Sequence, residues 1–570
     1  MKTRFSIKNN FVCISILLIS FFSLIYRCFY GFAWNDEPFY LSTANRFYLG
    51  DRLIIDEWNS TQLSTLLILP FLALFRSITG STEGIILFFR LLYVLSCFLI
   101  ALYSYIRLSK YNKWSSLGIS LSILFYAKLS IGIFSYNTLS VLFLYLTLLI
   151  FYCNWKDDSF SAVSLILAGL FFSCAVLSIP FLAVGYVLYA AAILCLFFKT
   201  HDMQRRQYKR LFLFPTIGIL LALLAFLLYF LPNTSLAGLS EALPNILNSS
   251  AGDKRPFLIR FIGMFGQVAR PLVYTMPFYL LTIAYLAYKC LFKKQISPKC
   301  YSVVWMVQLI CLAVNLYIYS LDERYCGVHF VALGMFGVSL LLMIREDTLK
   351  ELFCWFIPGC ISAALFYFAS NTGLIAIAAG CLFIVIGTFL ILPHFLQQAK
   401  ETPFYKELCI ITILCCIAVV SITAALRFFY LRDHKYPLLT TRITEGPAKG
   451  IYTAEDNARE YTEILHVIQN EVTEDDQFFI SQMACWAYLA TDAECGAFTT
   501  WEIPLTHEYL KTFYTLNPQK IPNVVFIINK DYGYRNNDNP RQGYLYDELL
   551  NTPTYEKTEY DCGTLYKRAK

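Results

Sequence analysis

Two adjacent carboxylates, Asp36 and Glu37, lie in the stretch WNDEPFY at residues 34–40, directly after the first apolar segment. A carboxylate in such a place can act as a general base that takes a proton from a hydroxyl or an amine. It can also simply stabilise the start of a helix, by about 0.3–1 kcal/mol. A second pair, Asp56 and Glu57, follows in the same polar stretch, and for it too a structural role stays open.

The residues after the first pair predict a short helix. Asn35 is of a type that caps helices, and Asp36 and Glu37 would then fall in the first turn, where Pro38 is tolerated. We expect the aromatic side chains of this helix to lie along the membrane surface. They are Phe39, Tyr40, Phe47 and Tyr48.

Cationic residues mark a second stretch, GDKRPFLIRFIGMFGQVARPL at residues 252–272, which supplies Lys254, Arg255, Arg260 and Arg270. Cations interleaved with apolar residues are typical of a segment that binds a phosphorylated lipid headgroup. The sequence leaves open whether that headgroup belongs to a lipid carrier or to ordinary anionic lipid.

Charged and titratable residues inside apolar runs have a different meaning. Arg90 lies within the apolar run at 83–106, where an unpaired charge is costly, so we expect it to pair with a carboxylate at the membrane surface. Lys128 is similar, and His329 is expected to be structural. Cys485 and Cys495 are close enough in sequence for a disulfide, although spacing does not establish one.

The composition indicates a membrane protein. Of the 570 residues, 57% are apolar and only 15% are charged, which leaves too little polar surface for a soluble protein of this size. The net charge of +7 does not indicate nucleic-acid binding, because the Lys and Arg residues occur in short clusters between apolar runs. Such clusters instead mark cytoplasmic connections.

Apolar runs of sufficient length predict about thirteen spans, with the N-terminus inside and the C-terminus outside. The two long outer loops are 33–82 and 232–271, and residues 61–80 of the first loop predict an interfacial helix. The predicted spans are 11–32, 83–106, 117–134, 137–154, 161–179, 181–198, 211–231, 273–292, 301–320, 328–344, 352–369, 373–392 and 408–430.

The composition changes after the last span. Residues 431–570 read as a small α/β domain held outside the membrane, with strand-like runs QFFISQ and NVVFIINK. The predicted fold class is therefore a polytopic α-helical membrane protein, residues 1–430, followed by this extracytoplasmic domain. Its location would be the plasma or inner cell membrane.

The order of these features resembles the large-loop glycosyltransferases of the C superfamily. The shared features are one span, then DE with Tyr40 three positions after Glu37, an interfacial helix, and FFRLL at the start of span two. Within that superfamily the chain is similar to the protein O-mannosyltransferases and the bacterial aminoarabinose (lipid A) transferases. DERY at 322–325 is similar to the Arg-Tyr that these enzymes carry before a late span. The Lys-Pro-Pro stretch of aminoarabinose transferases is replaced here by DEWNSTQLS.

The resemblance implies transfer of a sugar from a polyprenyl-phosphate donor to a lipid, glycan or protein acceptor on the outer face. Asp36 would be the general base, and Glu37 would orient it or contact the acceptor; Asp56 and Glu57 are second candidates. The donor phosphate would be bound by Arg324 with Tyr325, and by Arg270, Arg255 and Lys254. For Arg324 the alternative is a side chain that snorkels at a span end.

No cofactor is predicted, and the sequence leaves a divalent metal open. The chain has no P-loop, G-x-G-x-x-G or Asp-x-Asp motif for a nucleotide-linked donor. Other functions stay open at this point: a transporter or flippase, a polysaccharide polymerase or ligase, and an envelope scaffold. A transporter would need charges near the bilayer midplane, whereas the carboxylates here concentrate in the outer loops.

Overall fold

The computed structural model describes residues 7–128, 131–200, 202–249, 255–292, 296–319, 327–344, 348–370, 372–481, 484–501, 508–529 and 544–568. Long apolar segments dominate its first three quarters, and they fold as helices because a helix satisfies every interior backbone hydrogen bond within the segment. The helices of this part are, in chain order, α1 (Ile7–Cys28), α2 (Pro38–Tyr48), α3 (Leu69–Thr79), α4 (Ile85–Leu108), α5 (Lys113–Phe125), α6 (Tyr136–Lys156), α7 (Ala162–Ser178), α8 (Ala183–Lys199), α9 (Asp202–Asn233), α10 (Leu236–Ser249), α11 (Phe257–Ala269), α12 (Met276–Leu291), α13 (Pro298–Tyr319), α14 (Val328–Met343), α15 (Leu349–Phe368), α16 (Leu374–Gln398) and α17 (Tyr405–Phe429).

Within the described residues, nine helices are long and apolar enough to cross a membrane: α1, α4, α6, α8, α9, α13, α15, α16 and α17. For α8 the span includes the 3-10 turn before it and runs over Pro180–Lys199, 20 residues. This indicates a membrane protein. Each of the predicted spans overlaps one helix, but α5, α7, α12 and α14 have only 13, 17, 16 and 16 residues. A helix needs about 20 residues to cross the hydrocarbon core, so the count of thirteen spans stays a prediction.

The first polar loop contains the expected second helical segment. A 3-10 helix at Gln62–Leu67 leads into α3, and Gly80 ends α3 in the left-handed conformation that glycine adopts without strain. α3 has 11 residues, too few to cross a membrane, and its side chains are mostly exposed.

The C-terminal domain is α/β, as predicted. It consists of β1 (Thr441–Arg442), β2 (Tyr452–Thr453), α18 (Glu455–Glu471), β3 (Gln477–Ile480), β4 (Glu494–Cys495), α19 (Glu508–Leu516), β5 (Val524–Ile528), β6 (Tyr555–Tyr560) and β7 (Gly563–Arg568). Its five-stranded sheet has the order β4-β3-β5-β7-β6. β3 is parallel to both β4 and β5, whereas β7 is antiparallel to β5 and β6. The strand-like runs QFFISQ and NVVFIINK form β3 and β5.

The C-terminal domain packs directly on the first loop. The Gly31 amide donates to the Tyr452 carbonyl at 2.8 Å, and the Tyr452 amide donates to Phe29 at 2.7 Å. Gly31 has φ +82°, and a Cβ there would lie 2.8 Å from the Leu431 carbonyl oxygen, so this contact requires glycine. The loop and the domain share one hydrophobic core. We call this end of the helical bundle the domain-bearing end.

Asp433 holds this junction together. Its Oδ2 accepts from the Phe32 amide at 2.7 Å and from the Thr453 hydroxyl at 2.6 Å. Its Oδ1 accepts from Asn457 at 2.8 Å and from the His434 amide at 2.6 Å. One carboxylate therefore connects the segment after α1 to the start of α18.

Replacing Asp433 by alanine is expected to lower the free energy of unfolding by about 2–3 kcal/mol, because the partly buried donors lose a charged acceptor. Thermal unfolding of the purified protein in detergent measures the effect. Glu463→Ala, at an exposed position of α18, serves as the control and should change stability by less than about 0.5 kcal/mol. Equal melting temperatures for the two variants would contradict this role of Asp433.

Candidate functional site

Glu37 is buried at the domain-bearing end in an ion pair with Arg90. The distances from Arg90 to Glu37 Oε2 are 2.5 Å from Nη2 and 2.7 Å from Nε. The other oxygen, Oε1, accepts from the Gly132 amide at 2.9 Å. Arg90 also donates to the carbonyls of Cys28 and Gly31. The pairing expected of Arg90 is therefore found, and both oxygens of Glu37 are engaged.

The environment of Glu37 fixes its charge. Burial by itself raises the pKa of the carboxyl group, but the attraction of Arg90 and the hydrogen bond from Gly132 outweigh burial. The pKa of Glu37 consequently lies below its ordinary value. A buried carboxylate held in this way is suited to positioning its neighbours.

Asp36 has a different environment. Its carboxylate forms an ion pair with Arg432, which follows α17 in a left-handed backbone conformation with φ +53°. The Asp36 side chain keeps 26% of its surface exposed, against 6% for Glu37. Of the two acids, Asp36 is thus the one that a substrate can approach.

The predicted helix cap is wrong in detail. α2 begins at Pro38, and Glu37 occupies the position before it without a side-chain capping bond. The main-chain carbonyl of Asn35 accepts from the Phe39 amide at 2.9 Å, and its side-chain oxygen accepts from the Cys485 thiol at 3.8 Å. Both acids precede the helix because their side chains are engaged by Arg90 and Arg432 instead.

The predicted position of α2 along the membrane surface is also wrong. Phe39, Tyr40 and Phe47 are buried, and only Tyr48 is exposed. The C-terminal domain covers this helix: Trp501 packs edge-on against Phe39 with ring centroids 4.9 Å apart. The Ser42 hydroxyl donates to the Cys485 carbonyl at 2.6 Å. The aromatic residues of α2 therefore form an interface within the protein.

A partly open cavity lies near Glu37, with Arg427 in its wall. Its enclosed volume is small, about 40 Å³, and it opens into solvent. The link between α5 and α6 contributes Lys128, α14 contributes His329, and the end of α17 contributes Arg427 and Tyr430. The lining thus combines two cationic side chains with aromatic and aliphatic ones, which suits an anionic ligand that also has apolar parts.

Lys128 is buried in the wall of this cavity. Its ammonium group donates to Asn137 Oδ1 at 2.7 Å and to the Ser370 hydroxyl at 3.3 Å. It lies 5.7 Å from the centroid of the Tyr136 ring. Burial lowers the pKa of Lys128 to about 7. An anion in the cavity would favour the charged form of this side chain.

Gly132 connects Glu37 to the cavity wall. A Cβ at Gly132 would lie 3.1 Å from Glu37 Oε1 and 3.0 Å from Arg427 Nη2. The Glu37 carboxylate and the Arg427 guanidinium group therefore both lie close to Gly132. His329 bonds the Thr423 hydroxyl at 3.1 Å through Nε2, a contact consistent with its expected structural role. Arg427 is thus shared between the surroundings of Glu37 and the cavity wall.

Asp56 and Glu57 lie in an ion-pair network that holds the first loop. Arg46 contacts Asp51 at 2.6 Å and Glu57 at 2.8 Å, and Arg52 contacts Asp56 at 3.0 Å. Burial raises the pKa of Glu57. Burial also acts to raise the pKa of Asp56, but hydrogen bonds from Arg52 hold that pKa below its ordinary value.

The same network reaches the C-terminal domain. Lys520 contacts Asp51 at 2.5 Å and Glu494 at 2.9 Å, and the Trp58 amide donates to the Phe498 carbonyl at 2.7 Å. These contacts favour a structural role for the second acidic pair.

Two of the predicted phosphate-binding residues lie within the described part of the chain. Arg255 precedes α11 and Arg270 follows it; both are exposed, and neither lines the cavity. Lys254, Arg324 and Tyr325 lie outside the described residues. The phosphate role of all five stays a prediction.

The sequence left open a divalent metal site and one disulfide. Among the residues that the structure describes, no group of three or more His, Cys, Asp or Glu side chains could hold a metal ion. Cys485 and Cys495 are not joined to each other, so the possible disulfide is not formed. The fold indicates a helical membrane protein with an added α/β domain. No protein-family model matches the chain, and no curated protein matches it.

Sequence reasoning missed Arg427 and Arg432, and it noted Lys128 only as a structural charge. Arg427 lies in the last turn of an apolar helix, where an arginine usually snorkels to the surface. Its burial was the missing information, because it depends on helices far away in the sequence. Lys128 had a clearer signal: a lysine inside an apolar run is a functional-site candidate in its own right.

Proposed function

We propose that this protein is a membrane glycosyltransferase that moves a sugar from a polyprenyl-phosphate donor to an acceptor hydroxyl or amine, with inversion at the anomeric carbon. The observation that carries the proposal is an accessible carboxylate, Asp36, next to Glu37, which Gly132 connects to a cavity with Lys128 and Arg427 in its wall. A base and a cationic phosphate site are the minimum that this reaction needs.

The orientation of the chain supports the proposal. If the Lys- and Arg-rich connections are cytoplasmic, the N-terminus lies inside and the domain-bearing end faces outward. Nucleotide-linked sugars are absent outside the cell, so an outward-facing transferase needs a donor carried by a membrane lipid. The acceptor would be a lipid, glycan or protein of the cell envelope.

The reaction assigns a role to each group. Asp36 takes the proton from the acceptor hydroxyl or amine as that atom forms a bond to the anomeric carbon. The bond between the anomeric carbon and the phosphate oxygen breaks, and its electron pair leaves with polyprenyl phosphate. Lys128 and Arg427 would stabilise the departing phosphate, together with the predicted Arg324 and Tyr325. Arg255, Arg270 and Lys254 would attract the anionic headgroup at longer range.

The structure also suggests what Glu37 does. Arg90 and Gly132 fix its carboxylate, so it cannot easily rotate toward a substrate. It would hold Gly132 and the neighbouring Arg427 in place and thereby shape the cavity wall. Its role would be that of a positioning residue beside the base.

The direct test uses the full chain in lipid nanodiscs with radiolabelled polyprenyl-phosphate sugars and an extract of envelope lipids and glycans as acceptors. Expected products are free polyprenyl phosphate and a labelled acceptor. Movement of the intact donor across a bilayer without cleavage of its sugar bond would instead make the protein a flippase. Donor consumption that does not depend on the protein would also contradict the proposal.

Donor binding gives a prediction for Lys128. Lys128→Met should weaken binding of the donor about 10-fold or more, since a hydrogen bond to a charged group contributes about 1.5–3 kcal/mol. A titration of the protein with the donor measures this. Lys110→Met is the matched control, because Lys110 pairs with Asp157 at the opposite end of α4 and should leave binding unchanged.

The same site predicts a pH dependence. With a pKa of about 7 in the empty site, Lys128 loses its charge as the pH rises through that value. Donor affinity should therefore fall above pH 7 in the native chain, and Lys128→Arg should abolish that fall because arginine stays protonated. An identical pH profile in Lys128→Arg and the native chain would remove Lys128 from the binding site.

A further inference from the structure

The short helix α11 has its polar and apolar sides in an unusual orientation. Its 13 residues span about 20 Å, too short to cross a hydrocarbon core of about 30 Å. No residue of α11 is buried. Six large apolar side chains expose between 39% and 69% of their surface: Phe257, Leu258, Ile259, Phe261, Ile262 and Phe265.

Both polar side chains of α11, Arg260 and Gln267, face the protein, alongside the partly buried Met264 and Val268. Arg260 donates from Nη2 to the Phe368 carbonyl at 2.8 Å and lies 5.3 Å from the centroid of the Phe368 ring. The Gln267 side chain lies against Gly373, where an added Cβ would be 2.9 Å from its Oε1. A helix on a water-exposed surface has the opposite arrangement, with its apolar side toward the protein.

We propose that α11 is embedded in the bilayer leaflet at the domain-bearing end, with its apolar face covered by acyl chains of the surrounding lipid. The inverted polarity requires an apolar medium outside the helix. The surface is also continuous with lipid-facing helices, because α12 follows directly and exposes Phe278, Leu280 and Leu281. Arg255 and Arg270, at the two ends of α11, can reach anionic headgroups.

The end of α15 connects α11 to the cavity wall. Phe257 stacks on Phe368 with ring centroids 5.0 Å apart, at the end of α15. Ser370, two residues later, accepts a hydrogen bond from Lys128 in the cavity wall. The cavity wall at Lys128 is therefore connected to α11 through residues 368–370.

The test uses the full chain in nanodiscs that contain phosphatidylcholine with a diazirine in its acyl chain. After photolysis, we expect residues 257–269 to carry about tenfold more lipid adducts than the water-exposed helix α18, and about as many as the lipid-facing helix α17. Labelling of α11 at the level of α18, while α17 is labelled strongly, would overturn the proposal. A separate protein–protein cross-linking experiment that joins two copies of the chain through α11 would also overturn it, because a second copy would then cover this face.

A pair of variants adds a second readout. Ile262→Asp should reduce acyl-chain labelling of α11 several-fold, because a carboxylate is expelled from hydrocarbon, whereas Ile262→Leu should leave the labelling unchanged. Equal labelling in the two variants would contradict the proposal. The result is independent of sugar transfer, since the labelling pattern does not depend on whether Asp36 acts as a base.

Discussion

Asp36→Asn is expected to reduce sugar transfer by about 100-fold or more, the usual cost of losing a general base. Asparagine has nearly the same shape as aspartate but cannot accept the proton of the acceptor. The ion pair with Arg432 is partly exposed, so its loss should change stability by about 1 kcal/mol or less. The measurement is the rate of transfer from a labelled polyprenyl-phosphate donor by protein with a normal melting temperature.

Glu83→Gln is the matched control for this variant. Glu83 is also a partly exposed carboxylate at the domain-bearing end, where it pairs with Lys449 at 3.0 Å. Because its cation is Lys449 rather than Arg432 and it is not adjacent to Glu37, its neutralisation should leave transfer unchanged. If Asp36→Asn kept near-normal transfer, Asp36 would not be the base, whatever the effect of the control.

The second large effect concerns stability. Arg90→Met should lower the free energy of unfolding by about 3–5 kcal/mol, because it leaves the buried carboxylate of Glu37 without its cation. The fraction of monodisperse protein in detergent and the melting temperature report the loss. The double variant Arg90→Met with Glu37→Gln should recover part of it, because the remaining side chain is then neutral.

An exposed ion pair supplies the comparison for Arg90. Lys449→Met breaks the pair with Glu83, in which both side chains are nearly half exposed, and should cost about 0–1 kcal/mol. Because the pKa of Glu37 is lowered in the folded protein, the stabilisation from its ion pair is complete above the unfolded pKa. It is lost as the pH falls through the lower, folded pKa. A double variant less stable than Arg90→Met alone would contradict the buried-pair explanation.

The sequence was informative wherever a local physical rule decides the outcome. The helical nature of the apolar runs follows from backbone hydrogen bonding, and each predicted span overlaps a helix. The pairing of Arg90 followed from the cost of an unpaired charge within an apolar run. The strands β3 and β5 followed from short runs of β-branched and aromatic residues.

The division of roles between Asp36 and Glu37 could not be predicted in the same way. The two acids are adjacent, and only their partners distinguish them: Arg90 lies 53 residues from Glu37, whereas Arg432 lies beyond the last long apolar helix. The burial of α2 is a similar case. Its aromatic residues are typical of a membrane-surface helix, and only the contact with Trp501 and Cys485 shows that a protein domain covers them.

The junction at Asp433 has a consequence for biosynthesis. Asp433 and Phe32, which it holds, are separated by 401 residues along the chain. At about 5–20 residues per second, the ribosome needs roughly 20–80 s to make the chain between them. Through that interval α2 and its aromatic side chains are made, but their cover does not yet exist. A nascent chain of this protein therefore exposes the apolar surface of α2 until the C-terminal domain that covers it has been made. We expect chaperones to associate with the chain during that time.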